Sequence, residues 1–305
     1  MNNKVVVIGC GNVGMAYIYA LLNQRTYVNR LVLIDVNKDR VEGEVMDLNH
    51  CLSYAPSKIS INAGEYKDCY DAQLVVIAAG ANQKPGETRT DLINKNAGIF
   101  KEIVDNVMAS GFKGIFLVAT NPLDVMTYLT YKYSGLPANQ VIGSGTSLDT
   151  ARLQLMIGKK LCINPKNVQA YVIGEHGDSE FIPWSNANIS LQNIKEFFSQ
   201  EEMDKIEYDV RNAAYEIINR KGATYYGIGM ALVRITNAIL GNENTIIATS
   251  VYDPNNDVYI GMPAIINKNG AERRIPLTLT EEEKTKLQNS INVIKQNISS
   301  VSEGE

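Results

Sequence analysis

In the first half of the chain the apolar positions gather into short unbroken runs: KVVVI (residues 4–8), RLVLI (30–34), LVVIA (74–78) and GIFLV (114–118). Runs this short, rich in β-branched residues and without alternation, predict strands buried on both faces. Between them apolar residues recur at helical spacing, as over 13–23 and 93–110. Strands alternating with helices predict βαβ units, a parallel sheet covered by helices and right-handed crossovers.

After about residue 143 the rhythm changes. A helix is predicted over 147–160, a strand pair around 168–173 and a long helix over 201–219. Two strand-like runs, 245–252 and 258–267, flank an Asn-rich turn. A last amphipathic helix over 281–297 leads into a polar tail, 299–305, expected to fray. The expected fold class is α/β, with a doubly wound parallel sheet over 1–143. A mixed α+β unit over 144–305 is expected to stand beside that sheet rather than extend it. No internal repeat or Pro/Ser linker separates the two.

Composition narrows the function classes. With 45% apolar and 20% charged residues the chain reads as an ordinary globular protein of 305 residues. A net charge of -4 without clustered Lys and Arg argues against a nucleic-acid surface. Cys10, Cys51, Cys69 and Cys162 form no Cys-x-x-Cys pair. That argues against a zinc site or a disulfide framework, so no metal is expected, and it fits a reducing compartment. No apolar run approaches the ~20 residues that span a bilayer. The N-terminus lacks the basic, apolar and cleavage regions of a secretion signal, and a cytoplasmic location is expected.

Gly9-Cys10-Gly11-Asn12-Val13-Gly14 is a G-x-G-x-x-G that follows a strand and opens a helix. In that setting the first glycine makes the turn and the second lets backbone N–H groups approach a pyrophosphate. The third brings helix close to strand. Asp35 ends the next predicted strand, where a carboxylate accepts from a ribose diol and repels a 2′-phosphate. The pattern predicts a Rossmann unit that binds NAD rather than NADP.

Further along lie candidate chemical groups. The polar loop 79–91 carries Gly80, Pro85, Gly86 and Arg89 at the carboxyl end of a strand, and reads either as a lid or as an idle surface loop. Asp149 and Arg152 stand three apart on a predicted helix, so they either converge on one cavity or form a surface ion pair. His176, one of two histidines, sits in Gly174-Glu-His-Gly-Asp-Ser-Glu180 and reads as a satisfied core residue or as chemistry. His50 and the single tryptophan, Trp184, are given structural readings.

Taken together, residues 7–14, 79–91, 119–124, 143–152 and 174–180 make the chain similar to the L-lactate dehydrogenases of the lactate/malate dehydrogenase family over essentially its whole length. The resemblance implies that His176 is the proton donor and acceptor, with Asp149 as its carboxylate partner. Arg89 would polarise the keto oxygen, Asn121 would hydrogen-bond that oxygen or help hold the site, and Arg152 would grip the substrate carboxylate. Gln83, where malate-specific relatives carry an arginine, and Thr224 would bound the substrate pocket. Cofactor contacts are implied for Gly9, Gly11, Val13, Gly14, Asp35, Arg40, Tyr66, Gly80, Ala81, Asn121, Ser144 and Ile228. The implied substrates are pyruvate and L-lactate. Malate, a longer-chain 2-hydroxy acid and a non-catalytic NAD-binding protein stand as alternatives.

Two positions depart from the bacterial pattern. Family members activated by fructose 1,6-bisphosphate hold its phosphates with an arginine and a histidine, where this chain has Gln154 and Gln169. Two neutral amides predict indifference to that effector. A homotetramer is expected, with a dimer as the second choice. Only three residues precede the first strand, so an N-terminal clamping arm is not expected.

Overall fold

The structure, a computed structural model, describes residues 3–81 and 89–301. From the start, β1 (Lys4–Ile8) leads into α1 (Asn12–Leu22) and β2 (Arg30–Ile34) into α2 (Lys38–Cys51). Next come β3 (Ser60–Ala63), β4 (Leu74–Ile77), α3 (Arg89–Ala109), β5 (Ile115–Val118), α4 (Leu123–Ser134), β6 (Val141–Gly143) and α5 (Ser147–Leu161). The remainder holds β7 (Val168–Gln169), β8 (Asn188–Ile189), β9 (Gln192–Asn193), α6 (Gln200–Lys221) and α7 (Tyr226–Leu240). It ends with β10 (Thr245–Asp253), β11 (Val258–Asn267), β12 (Gly270–Arg274) and α8 (Glu281–Ser299).

The first six strands are parallel in the order β3-β2-β1-β4-β5-β6. Every residue of β1, β4 and β5 is buried, as expected of strands covered by helices on both faces. The strand order reverses between β1 and β4, and that reversal opens a crevice at their carboxyl ends. Gly9, Ala79 and Asn121 all lie at that edge.

The later strands correct one expectation. The α+β half is in part more of the same sheet: β10, β11 and β12 extend it, antiparallel, to nine strands. The join is Ser250 paired with Gly143. Otherwise β6 would present an edge of unpaired N–H and C=O groups beside the core. Gly143 permits the approach, because a Cβ there would crowd Thr127 Oγ1 and come within 2.7 Å of Ser250 Cβ.

The strand pair expected around 168–173 is also different. Only Val168–Gln169 forms a strand, in a small sheet with β8 and β9, and Ile173 and Gly174 make isolated bridges to Phe181 and Gly261. The N-cap residue of α5 and a side chain of its first turn take the backbone groups a ladder would use. Thr146 Oγ1 donates to the Val172 carbonyl at 2.6 Å, and Val172 N–H donates to Thr150 Oγ1 at 3.0 Å.

Helix ends place the pocket-forming segments. A capping box of Ser199 and Glu202 starts α6, and Gly222, at φ +83°, stops it two residues before Thr224. Packing of α7 against α1 is fixed by a buried hydrogen bond of 2.8 Å between Thr236 and Tyr17. Among the described residues, no helix is long and apolar enough to cross a membrane. The tail continues past α8 as Ser300 and Val301, and residues 302–305 lie outside the described residues.

Candidate active site

At the crevice, Gly9 adopts φ +100°, and a Cβ there would strike the Ala79 backbone. Only glycine lets β1 turn so close to the end of β4. At Gly11 a Cβ would meet no heavy atom of the described residues within 4 Å, so they leave room there. Among the described residues no side chain caps the N-terminus of α1, which leaves its first N–H groups and positive dipole end for phosphates. Val13 and Gly14 lie in the first turn of that helix. Asp35, at the tip of β2, accepts from Cys10 N–H at 2.7 Å and from Asn37 N–H at 3.1 Å. The acid expected to meet the ribose thus also braces the glycine turn. These features fit a dinucleotide.

Arg40 and Tyr66 stand farther out. Arg40 is exposed and pairs with Glu44 at 3.4 Å along α2, and half-buried Tyr66 opens a short 3-10 turn after β3. Ser144 follows β6, with its N–H on the Val118 carbonyl at 2.8 Å.

Two strand-tip loops are stitched together by buried Asn96 of α3. Its Oδ1 accepts from Ala81 N–H at 2.8 Å and its Nδ2 donates to the Asn121 carbonyl at 2.9 Å. Thr120 Oγ1 adds a bond of 2.7 Å to the Ala79 carbonyl. Gly80, Ala81 and Asn121 therefore share one wall of the crevice. Gln83 and the side chain of Arg89 lie outside the described residues.

In the first turn of α5, Asp149 joins the two groups whose purpose the sequence left open. One oxygen accepts from Arg152 Nη1 at 2.7 Å and the other lies 2.7 Å from His176 Nδ1. Asp149 is 2% exposed, Arg152 12% and His176 26%, so this is a cluster reached from one side rather than a surface ion pair. Burial disfavours charge on both partners. The Asp149 carboxylate nevertheless holds the imidazole up to about 9, and His176 and Arg152 keep the Asp149 carboxyl below the usual carboxylate range. An imidazole with Nδ1 committed to a carboxylate presents Nε2 for proton transfer.

The His176 loop is pinned by residues without a role in the sequence reading. Asp124, in the first turn of α4, accepts from His176 N–H at 2.8 Å, and Ser250 of β10 donates to its other oxygen. Burial pushes the Asp124 carboxyl up to about 6, against the pull of those two bonds. At the end of the loop Arg211 of α6 donates to the Glu180 carbonyl at 2.9 Å. Nothing near Asp124 in sequence points to His176, although its place, just after Pro122 and at the head of a buried helix, was a local sign of a specific task.

Thr224 and Ile228 flank the start of α7, where a Cβ on Gly227 would lie 2.7 Å from Leu148 Cδ1. That contact brings the segment against the beginning of α5, beside Asp149 and Arg152. His50 is in the last turn of α2, and Trp184 is 6% exposed within a core cluster.

Comparison with known proteins matches residues 3–143 to the lactate/malate dehydrogenase NAD binding domain and residues 146–305 to the lactate/malate dehydrogenase alpha/beta C-terminal domain. The chain belongs to the lactate/malate dehydrogenase family. NAD is the cofactor of this Rossmann unit. The chain is 51% identical to L-lactate dehydrogenase 2 of Bacillus cereus over 98% of both chains. It resembles a lactate dehydrogenase from a Medee basin deep-sea metagenome library, at 54% identity, TM-score 0.96 and 98% of both chains. The minor L-lactate dehydrogenase of Enterococcus mundtii in its ligands-bound form superposes with TM-score 0.97 at 44% identity over 99% of both chains.

Proposed function

We propose that this chain interconverts pyruvate and L-lactate with NAD, and the observation that carries the reading is Asp149 joining His176 and Arg152. When bound, the reduced nicotinamide supplies the hydride. His176, protonated at the start of reduction, gives its Nε2 proton to the keto oxygen as charge grows there. Asp149 stabilises the imidazolium beforehand and keeps the ring in place, as in other His–Asp pairs. Arg152 has N–H groups left over from its single bond to Asp149, and these suit a carboxylate held by a planar fork. Arg89 is assigned to the keto oxygen in the closed state, with Asn121 beside it.

Gln83 carries the choice of substrate. An amide cannot neutralise the second carboxylate of oxaloacetate, and an unpaired buried carboxylate is costly. Thr224 is assigned to the far side of the pocket and Ile228 to the nicotinamide face. Val13, Arg40, Tyr66 and Ser144 complete the cofactor contacts, and the boundary between the two domains is placed at residue 143.

The assembly proposed is a homotetramer, with a dimer second. Exposed Tyr19, Met46, Tyr226 and Met230 on α1, α2 and α7 support association, since a monomer in water gains from covering them. Four free cysteines support a cytoplasmic setting. Indifference to fructose 1,6-bisphosphate rests on Gln154, whose amide donates to the Val168 carbonyl at 3.2 Å, and on exposed Gln169, both neutral.

The test follows NADH absorbance with pyruvate and with oxaloacetate, each with and without fructose 1,6-bisphosphate. Turnover of pyruvate alone, unchanged by the sugar phosphate, is the expected result. Preference for oxaloacetate overturns the assignment of Gln83.

A further inference from the structure

Glu180 closes the catalytic loop at its far end. Its N–H donates to the Gly177 carbonyl at 3.1 Å, and its own carbonyl accepts from Arg211. The residue is only 5% exposed. One of its carboxyl oxygens, a carboxyl oxygen of Asp149 and a ring nitrogen of His176 all lie within 4.8 Å of one another. A second acid therefore sits inside the reaction centre, and the mechanism above gives it no task.

The charged groups facing it come from three elements. Asp149 and Arg152 approach from α5, His176 from the loop itself, and Arg211 from α6. Arg211 is balanced by Glu207, 3.1 Å away, while its Nε is buried and finds no partner among the described residues. Burial, and then the neighbouring Asp149 carboxylate, push the Glu180 carboxyl far above the usual carboxylate range. The three cations pull the other way.

Counting charge shows what this neutrality does. Protonated His176 and Arg152 carry two positive charges, and ionised Asp149 cancels one. With Glu180 neutral these three groups keep a single positive surplus, the complement of a monocarboxylate substrate, while the nearby Asp124 carboxylate is spent on His176 N–H and the Ser250 hydroxyl. An ionised Glu180 removes the surplus, repels the incoming carboxylate and competes for Arg152. We infer that Glu180 is a proton-linked positioning residue: Arg152 accepts the substrate carboxylate only while Glu180 is neutral. The inference rests on the lactate dehydrogenase reading, because it needs an anionic substrate on Arg152.

Two readouts test it, both comparing the unchanged chain with Glu180→Gln, an amide of the same shape that cannot ionise. The first is kcat/KM for pyruvate between about pH 6 and pH 10. Two protons must be held in the unchanged chain, on His176 and Glu180, so the alkaline limb steepens toward a slope of about -2 on logarithmic axes. In Glu180→Gln only the His176 proton remains and the limiting slope is about -1. The slope is the readout, whatever the rate at neutral pH.

The second readout is independent of turnover. An acid kept neutral by the fold holds its proton more tightly than the unfolded chain does. Its contribution to stability is complete below the ordinary carboxylate range and is lost as pH rises toward the folded value. The fall in Tm from about pH 6 to pH 9 is therefore smaller in Glu180→Gln. Should that variant not fold, Glu180→Thr, smaller and equally uncharged, carries both measurements. The same limiting slope and the same fall in Tm in both proteins overturn the inference. A chain that never reduces pyruvate, at any pH, overturns the reading beneath it, and the inference with it. Loss of pyruvate turnover in the variant alone leaves the function standing, and the Tm comparison then decides for or against Glu180.

Discussion

The Asp124 carboxylate accepts the main-chain N–H of His176 at 2.8 Å, so the loop that carries His176 is held by its backbone from one side while Asp149 holds its ring from another. The same carboxylate takes the Ser250 hydroxyl, which makes it a buried meeting point of α4, β10 and the loop. Replacing it by alanine leaves two buried donors without a partner, each costing about 1–3 kcal/mol. Asp124→Ala is therefore expected to lose about 2–5 kcal/mol of stability in urea unfolding. Its kcat is expected to fall by about tenfold or more, because His176 is no longer held in position. Asp124→Asn, which keeps an acceptor for one of the two donors, is expected to lose less of both.

On the role proposed for His176, the two reaction directions are expected to differ in pH dependence. With its imidazole held up to about 9, pyruvate reduction is expected to persist through neutral pH and decline near pH 9. Lactate oxidation, which needs the neutral ring, is expected to rise over the same range. In Asp149→Asn the raising charge is gone, so the decline moves toward the ordinary histidine value of about 6.5. Its kcat is expected to fall by about 100-fold or more, as the imidazolium loses its carboxylate. Initial rates in both directions across pH check this, and an unmoved profile contradicts it.

Stability carries the same signature. The folded protein binds the His176 proton more tightly than the unfolded chain does. The His176–Asp149 pair thus contributes stability that is complete below about pH 6.5 and is lost as pH rises through about 9. Asp149→Asn should flatten that part of a Tm-against-pH curve.

The role proposed for Arg152 is to hold Asp149 and a substrate carboxylate together. A lysine keeps the charge but lacks the fork, and at a bidentate site that difference amounts to about 2–3 kcal/mol. Arg152→Lys is expected to raise KM for pyruvate by about 30- to 100-fold, with a smaller effect on kcat. Steady-state kinetics separates the two.

Substrate choice has its own test at Gln83. Gln83→Arg is expected to favour oxaloacetate over pyruvate by about 100-fold relative to the unchanged chain. The new cation pairs with the second carboxylate and stands against a methyl group. Competing-substrate kinetics on the variant measures that ratio directly.

Much of the cofactor half was legible in one dimension, because its determinants are local. A buried strand, a glycine turn, a helix and an acid at the next strand tip follow one another within residues 4–35. The strand pair expected around 168–173 misled because its apolar residues are buried by α5, whose N-cap residue Thr146 and first-turn Thr150 replace a ladder partner. The edge pairing of Ser250 with Gly143 left no mark either, since a hairpin reads the same whether it stands alone or extends a sheet.

By itself the sequence determined which side chains the reaction has available. It also determined the local frames that carry them: Gly9 to Gly14 on a strand-to-helix turn, and Asp149 and Arg152 on one helical face. Tertiary structure alone decided that those frames converge. His176 meets Asp149 across 27 positions of chain, Asp124 reaches His176 across 52, and Ser250 reaches Asp124 across 126. Periodicity and capping act over a few residues and leave their record in the sequence. Burial and the fields between charges depend on what packs nearby, so the raised values of His176 and Glu180 exist only once the chain has folded.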